Sequence, residues 1–122
     1  MADDLLTPQD IINDFLSVVD GKEKIQYEVV NDDGVVTSTI DIGTDTDRRC
    51  LRFGSSTDQW IDENLIASND IIFWHVLVID LPGILPKHGD RIVDKEGQRW
   101  EIRSHKLLSW RTRYRFVCLR LP

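Results

Sequence analysis

Residues 86–102 read PKHGDRIVDKEGQRWEI, and the order of residue types in this stretch decides the fold class. Pro86 and Gly89 are incompatible with a helix here. Gly89 is free to take a positive φ, and the Asp90 side chain can bond the backbone of a turn. Ile92 and Val93 then open a short strand. Asp94–Gly97 has the composition of a tight turn, with Gly97 at the position that needs positive φ, and Trp100 and Ile102 alternate as the inward residues of a second strand. Pro86, Gly89, Asp90 and Gly97 are therefore structural turn residues. Together they make a β-corner followed by a hairpin, with no catalytic residue among them.

Working outward, the same period of two recurs along most of the chain. KIQYEVVN (24–31) and VVTSTIDI (35–42) flank the turn NDDG and form a hairpin. RRCLRF (48–53) alternates again after the polar loop GTDTD. IIFWHVLVID (71–80), the most apolar segment, reads as a central strand buried on both faces. RYRFVCLRL (113–121) closes the chain with Tyr114, Phe116 and Cys118 inward and Arg113, Arg115 and Arg120 toward the outside. WIDENLIASND (60–70) fits a short helical turn or a loop.

One segment departs from this pattern. In LLTPQDIINDFLSVVDGK, Thr7 is an N-cap, Pro8 suits the first helical position, and Asp10 completes a capping box. Leu6 and Ile11 are spaced as a hydrophobic staple. Ile11, Ile12, Phe15, Leu16 and Val19 form an apolar face, and Gly21 supplies a stop. The expected fold is therefore mainly β: one domain over 1–122, with an amphipathic helix over 7–20 and a small barrel or sandwich of about six or seven antiparallel strands over 24–122. βαβ alternation is absent, which disfavours a dinucleotide-binding fold.

Composition narrows the functional classes. The 122 residues carry a net charge of −6, unevenly spread. Residues 1–47 hold two basic and twelve acidic residues (net −10), and residues 87–122 hold ten basic and four acidic (net +6). Such a chain either neutralises itself across the fold or presents an acidic and a basic face suited to head-to-tail assembly. No apolar run approaches the ~18–20 residues of a membrane span. The acidic opening MADDLLTPQD lacks the pattern of a secretory signal, so a cytoplasmic location is expected. Cys50 and Cys118, each in an alternating apolar context, read as two buried thiols. His75, His88, His105 and the cysteines show no metal-ligand spacing, there is no nucleophile motif, and the glycines sit in β-turns rather than in a phosphate loop. The expectation is no enzyme, no metal and no cofactor.

PGILPKHGDRIVDKEGQRWEI followed by the basic, aromatic closing strand resembles the C-terminal half of small tailed-phage head–tail joining (head-completion or neck) proteins. The matching residues are Pro86, Gly89, Asp90, Ile92, Gly97, Trp100 and Ile102, and the resemblance spans about residues 74–122. It implies a structural subunit of a phage or prophage. Several copies would form a ring on the portal, with portal and tail proteins as partners, made in the host cytoplasm and carried in the virion. On that reading Arg111, Arg113 and Arg115 are interface residues, and Trp110, in the preceding turn, is a hot spot. An alternative is a single-stranded nucleic-acid-binding module of OB-like or SH3-like barrel type, which the interleaving of arginines with Trp100, Trp110 and Tyr114 would suit. A third is a peptide-binding barrel using exposed aromatics.

Overall fold

In the computed structural model, which describes residues 7–18, 21–54 and 71–122, the chain is mainly β, with eight antiparallel strands in one curled sheet and a single α-helix. The strands are β1 (Lys22–Glu23), β2 (Ile25–Val30), β3 (Val36–Ile42), β4 (Cys50–Gly54), β5 (Ile71–Leu77), β6 (Arg91–Val93), β7 (Arg99–Leu108) and β8 (Arg113–Arg120). They lie in the order β1-β4-β5-β8-β7-β6-β2-β3. Only Lys24 separates β1, which pairs with β4, from β2, which pairs with β6 and β3. The sheet therefore curls back on itself, and its two ends are joined through one stretch of chain. The extra strand relative to six or seven is β1, which lies just before the 24–31 stretch read from the sequence as a strand and pairs at the other end of the sheet. The ambiguous segment 60–70 lies outside the described residues.

The inward face is set by alternation. Ile25 and Tyr27 from β2, Ile72, Trp74 and Val76 from β5, Ile92 from β6, Trp100 and Ile102 from β7, and Tyr114, Phe116 and Cys118 from β8 form the main core. β5 is buried on both faces, as its unbroken apolar run implies. Its other face, Ile71 and Phe73, packs with Val117 and Leu119. It ends at Leu77 rather than Asp80. Val78–Asp80 is a 3-10 turn instead: the Val78 N–H still bonds the Thr112 carbonyl (2.9 Å) in line with the ladder to β8, but the Val78 carbonyl accepts from the Leu81 N–H (3.0 Å), and the Asp80 carboxylate accepts from Arg49 Nε (3.0 Å). Cys50 and Cys118 are both buried free thiols, and burial raises both pKa values.

The helix, α1 (Pro8–Ser17), has its capping box in place: Thr7 Oγ1 accepts from the Asp10 N–H (3.2 Å), and Asp10 Oδ2 accepts from the Thr7 N–H (2.9 Å). Ile12 and Phe15 bury against Leu77, with Leu16 and Leu51 beside them. The helix stops at Ser17, short of the expected Asp20. Val18 is extended, as suits the first of two consecutive β-branched residues with no basic side chain in the last turn to hold the free carbonyls. Leu6 and Val19 lie outside the described residues.

The opening stretch supplies the polar interior. Asp90 is fully buried (0% exposed). Its Oδ2 accepts from Tyr27 Oη (2.6 Å) and the Lys87 N–H (3.3 Å), and its Oδ1 accepts from the Val30 N–H (3.0 Å) and Lys87 Nζ (2.9 Å). Lys87 Nζ also donates to the Val30 carbonyl. Burial, then the bond and charge of Asp90, raise the Tyr27 pKa well above its ordinary value. Gly89 (φ 99°) lets the chain turn into this position, and its N–H bonds the Ile102 carbonyl (3.0 Å). Truncating Asp90 orphans the Tyr27 hydroxyl and the Val30 N–H, each at about 1–3 kcal/mol. Asp90→Ala is thus expected to lower stability by about 3 kcal/mol and Tyr27→Phe by about 1 kcal/mol. Urea denaturation checks this, and a D90A midpoint equal to the parent's would refute the assigned role.

Candidate assembly surface

β7 is ten residues long, but its ladder with β6 covers only Arg99–Glu101, whereas its ladder with β8 runs from Trp100 to Leu108. Beyond Glu101, the edge of β7 away from β8 pairs with no strand among the described residues. Side chains from Arg103 to Leu107 are exposed. A register shift between Ile102 and Ser104 and the charge of Lys106 guard this edge against indiscriminate pairing.

The strand reaches the turn expected at SWRTR, whose backbone conformation the sequence does not announce. Ser109, Trp110 and Arg111 have φ of 51°, 58° and 63°, three successive left-handed residues without a glycine. Each such residue is strained by roughly 1–2 kcal/mol. The turn is held from both sides. Thr112 N–H and Oγ1–H both donate to the Ser109 carbonyl (3.2 and 2.6 Å), Arg113 Nη2 donates to Ser109 Oγ (3.3 Å), and the Thr112 carbonyl accepts from the Val78 N–H. The outcome is a rigid tip that presents Trp110 at 70% exposure, with Arg111 exposed beside it.

The four proposed interface residues therefore separate into two pairs. Trp110 and Arg111 stand on the tip. Arg113 and Arg115 are half-buried on the outer side of β8, Arg113 over the Phe15 ring (5.1 Å to its centroid) and Arg115 over Phe73 (5.6 Å). Of the turn residues, Pro86 and Asp90 are buried, and Gly97 (φ 86°) closes the β6–β7 hairpin. His88 is exposed. Sequence reading misses Arg52, which sits between two indole rings (4.8 Å from Trp74 and 5.6 Å from Trp100). It donates to Glu23 Oε1 (3.0 Å) and Asp94 Oδ2 (2.9 Å). An arginine in an alternating strand carries no local sign of this, because its partners lie 29 and 42 residues away.

An open groove of about 600 Å³ lies between the 43–45 loop and the β6–β7 turn. Four of its polar side chains are engaged with each other: Lys24 with Asp45 (3.0 Å) and Gln26 with Asp41 (2.8 Å). Among the described residues, no group of three or more His, Cys, Asp or Glu is placed to hold a metal ion, and no helix is long and apolar enough to cross a membrane. Comparison with known proteins finds no matching family model, curated protein or solved structure.

Two groups give acid stability a definite shape. Burial, and then the positive charges of Arg113 and Arg115, push the His75 pKa from 6.5 down to about 4. The unfolded chain therefore binds the extra proton first, and stability falls as pH drops from 6.5 toward 4, by at most about 3 kcal/mol. At Asp94, burial pushes the pKa up, but the bonds from Trp100, Gln98 and Glu96 and the charge of Arg52 outweigh it and hold the value below 3.8. The Asp94 contribution is complete above pH 3.8 and is lost as pH falls through the folded value. His75→Gln should flatten the pH 4–6.5 limb of a stability profile and leave the steeper fall below pH 4. An unaltered upper limb would contradict the assignment.

Proposed function

We propose that this chain is a non-enzymatic assembly subunit, a head–tail joining component of a tailed-phage type particle that forms a ring on the portal. The observation that carries the reading is the Ser109–Trp110–Arg111 tip. A large aromatic is held out on a strained, cross-braced turn, and rigid presentation of an aromatic and an arginine is the arrangement of a binding hot spot. Strain of this kind persists only where the surrounding structure over-determines it, and it concentrates at functional positions. The resemblance of residues 74–122 to head–tail joining proteins supplies the class of partner, and the acidic first third and basic last third supply complementary faces for neighbours in a ring. Trp110 enters an apolar pocket of the partner and Arg111 meets a carboxylate at its rim. The protein is made in the host cytoplasm and leaves it in the virion.

The same tip, with Arg103 and Lys106 exposed along β7, favours the second reading, in which single-stranded nucleic acid stacks on Trp110. The two readings part on salt. Nucleic-acid binding weakens steeply as salt rises, in proportion to the phosphates neutralised.

Trp110→Asn places a residue that tolerates left-handed backbone in the strained position. It is expected to hold stability or raise it by up to about 1 kcal/mol, while abolishing binding to portal-bearing, DNA-filled heads. Thermal denaturation and co-sedimentation with such heads measure the two effects. Retained co-sedimentation would sink the connector reading, and a salt-steep anisotropy change with labelled single strands would replace it with the second.

A further inference from the structure

Several cations of the wall hold a carboxylate: half-buried Arg49 holds Asp80 (3.0 Å), half-buried Arg52 holds Glu23 and Asp94, and exposed Lys87 holds Asp90. Lys22 and Arg113 do not. Lys22 is only 3% exposed, its Nζ lies 3.9 Å from the centroid of Phe15, and that nitrogen has no hydrogen-bond partner. The Arg113 guanidinium stands 5.1 Å from the same ring, and its Nε is also without a hydrogen-bond partner. Neither makes an ion pair among the described residues. Both pKa values are lowered, Lys22 by burial and then by the charge of Arg113, and Arg113 by burial.

The two cations line a cavity of about 340 Å³ between α1 and the sheet, with Phe15, Val18 and Leu51 as its apolar walls. Asp14 stands at the lining from the exposed side of α1 and pairs with neither cation. The chemistry that completes this groove is a carboxylate joined to a small apolar body.

The chain itself carries that combination on the β2–β3 turn. Asp32 and Asp33 are exposed and make no ion pair among the described residues, and Val35 beside them is 56% exposed. The turn is stiff: Asn31 Oδ1 accepts from the N–H groups of Asp33 and Val35 (2.9 Å each), and the Asn31 carbonyl accepts from the Gly34 N–H. It cannot fill the groove of its own molecule. Groove and turn sit at opposite ends of the 22–30 stretch, and nine extended residues span roughly 30 Å.

We propose that the groove between α1 and β8 receives the β2–β3 turn of a second copy of this chain, Asp32 and Asp33 pairing with Lys22 and Arg113 while Val35 packs on Phe15 and Leu51. The contact is heterologous, one surface meeting a different one, which is the kind that propagates into rings. The choice of a second copy as occupant rests on the assembly reading; the groove and the turn are features of the fold.

The test uses the full-length protein, isotope-labelled, with amide shifts and sedimentation velocity followed from micromolar to millimolar concentration. Self-association is expected, with shifts moving together at Lys22 and Gly34. Lys22→Glu with Arg113→Glu, and separately Asp32→Lys with Asp33→Lys, should each weaken association by about tenfold or more, and mixing the two variants should restore it. The turn variant changes only exposed residues, so it reports even if the groove variant fails to fold. Parent protein that stays monomeric at millimolar concentration, or a folded turn variant that associates as the parent does, overturns the proposal. So does a mixture of two folded variants that remains apart. Co-sedimentation with heads is measured in parallel. Binding to heads without self-association removes the groove contact and leaves the connector reading standing, whereas self-association without binding to heads supports the contact and removes that reading.

Discussion

The fold depends on one buried carboxylate. β6 has three residues, too few to fix its register between β2 and β7 by side-chain alternation alone. Asp90, immediately before it, fixes that register instead. Its side chain gathers Tyr27, Val30 and Lys87, while its own carbonyl accepts from the Ile102 N–H (2.8 Å). These groups belong to β2, to the turn before β6 and to β7, and the side-chain bonds to β2 bridge 63 and 60 positions of sequence. The ladder is irregular between Val29 and Val30, where the Val30 N–H points to Asp90. A buried anion with four donors is tolerable; the same anion in any shifted register would be uncompensated, at a penalty of several kcal/mol. Specificity of register, more than net stability, is what such a group contributes.

Asp94, immediately after β6, repeats the device on the other side. It bonds the N–H groups of Glu96 and Gln98 to close the hairpin, takes the Trp100 indole N–H (3.0 Å), and holds Arg52 of β4. Arg52 in turn holds Glu23 of β1, whose carboxylate also accepts from the Lys95 N–H (3.2 Å). A three-residue strand is thus bracketed by two carboxylates. One ties it to β2 and β7, the other to β4 and β1. This is why PKHGDRIVDKEGQRWEI places Gly, Asp, an apolar pair, a second Asp, Gly and Trp so close together. The spacing serves the curl of the sheet.

Features governed by local rules were legible in the sequence. The capping box at Thr7, the glycine turns, the inward alternation of Trp100, Ile102, Tyr114, Phe116 and Cys118, and the two-sided burial of β5 all follow from residue type and period. Features set by distant partners were not. The break at Lys24 arises because neighbouring residues serve opposite ends of the sheet, Asp80 past the end of β5 is held by Arg49, and Arg52 is recruited across the interior. The SWRT turn lies between these cases. Its sequence contains none of the residues that favour positive φ, and a hairpin that short without glycine or asparagine is itself the sign of a strained connection. The pairing of Lys22 with Arg113 on Phe15 had no sequence signal, since the three residues belong to a helix, the shortest strand and the last strand.

Two costly features among the described residues, the left-handed turn and the cationic groove, meet in one residue. Arg113 braces the strained turn through Ser109 Oγ, and its guanidinium forms one wall of the cationic groove under α1. A carboxylate arriving in the groove competes for the same guanidinium that steadies the turn. Occupancy of the groove and the pose of Trp110 would therefore be linked through a single side chain that lines the one and bonds Ser109 beside the other. A chain shaped by stability alone would carry neither three left-handed residues in a row nor a buried and a half-buried cation on one ring, because each works against folding. They coincide where β8 begins, next to β1 and α1, and the proposed contacts converge on that part of the wall.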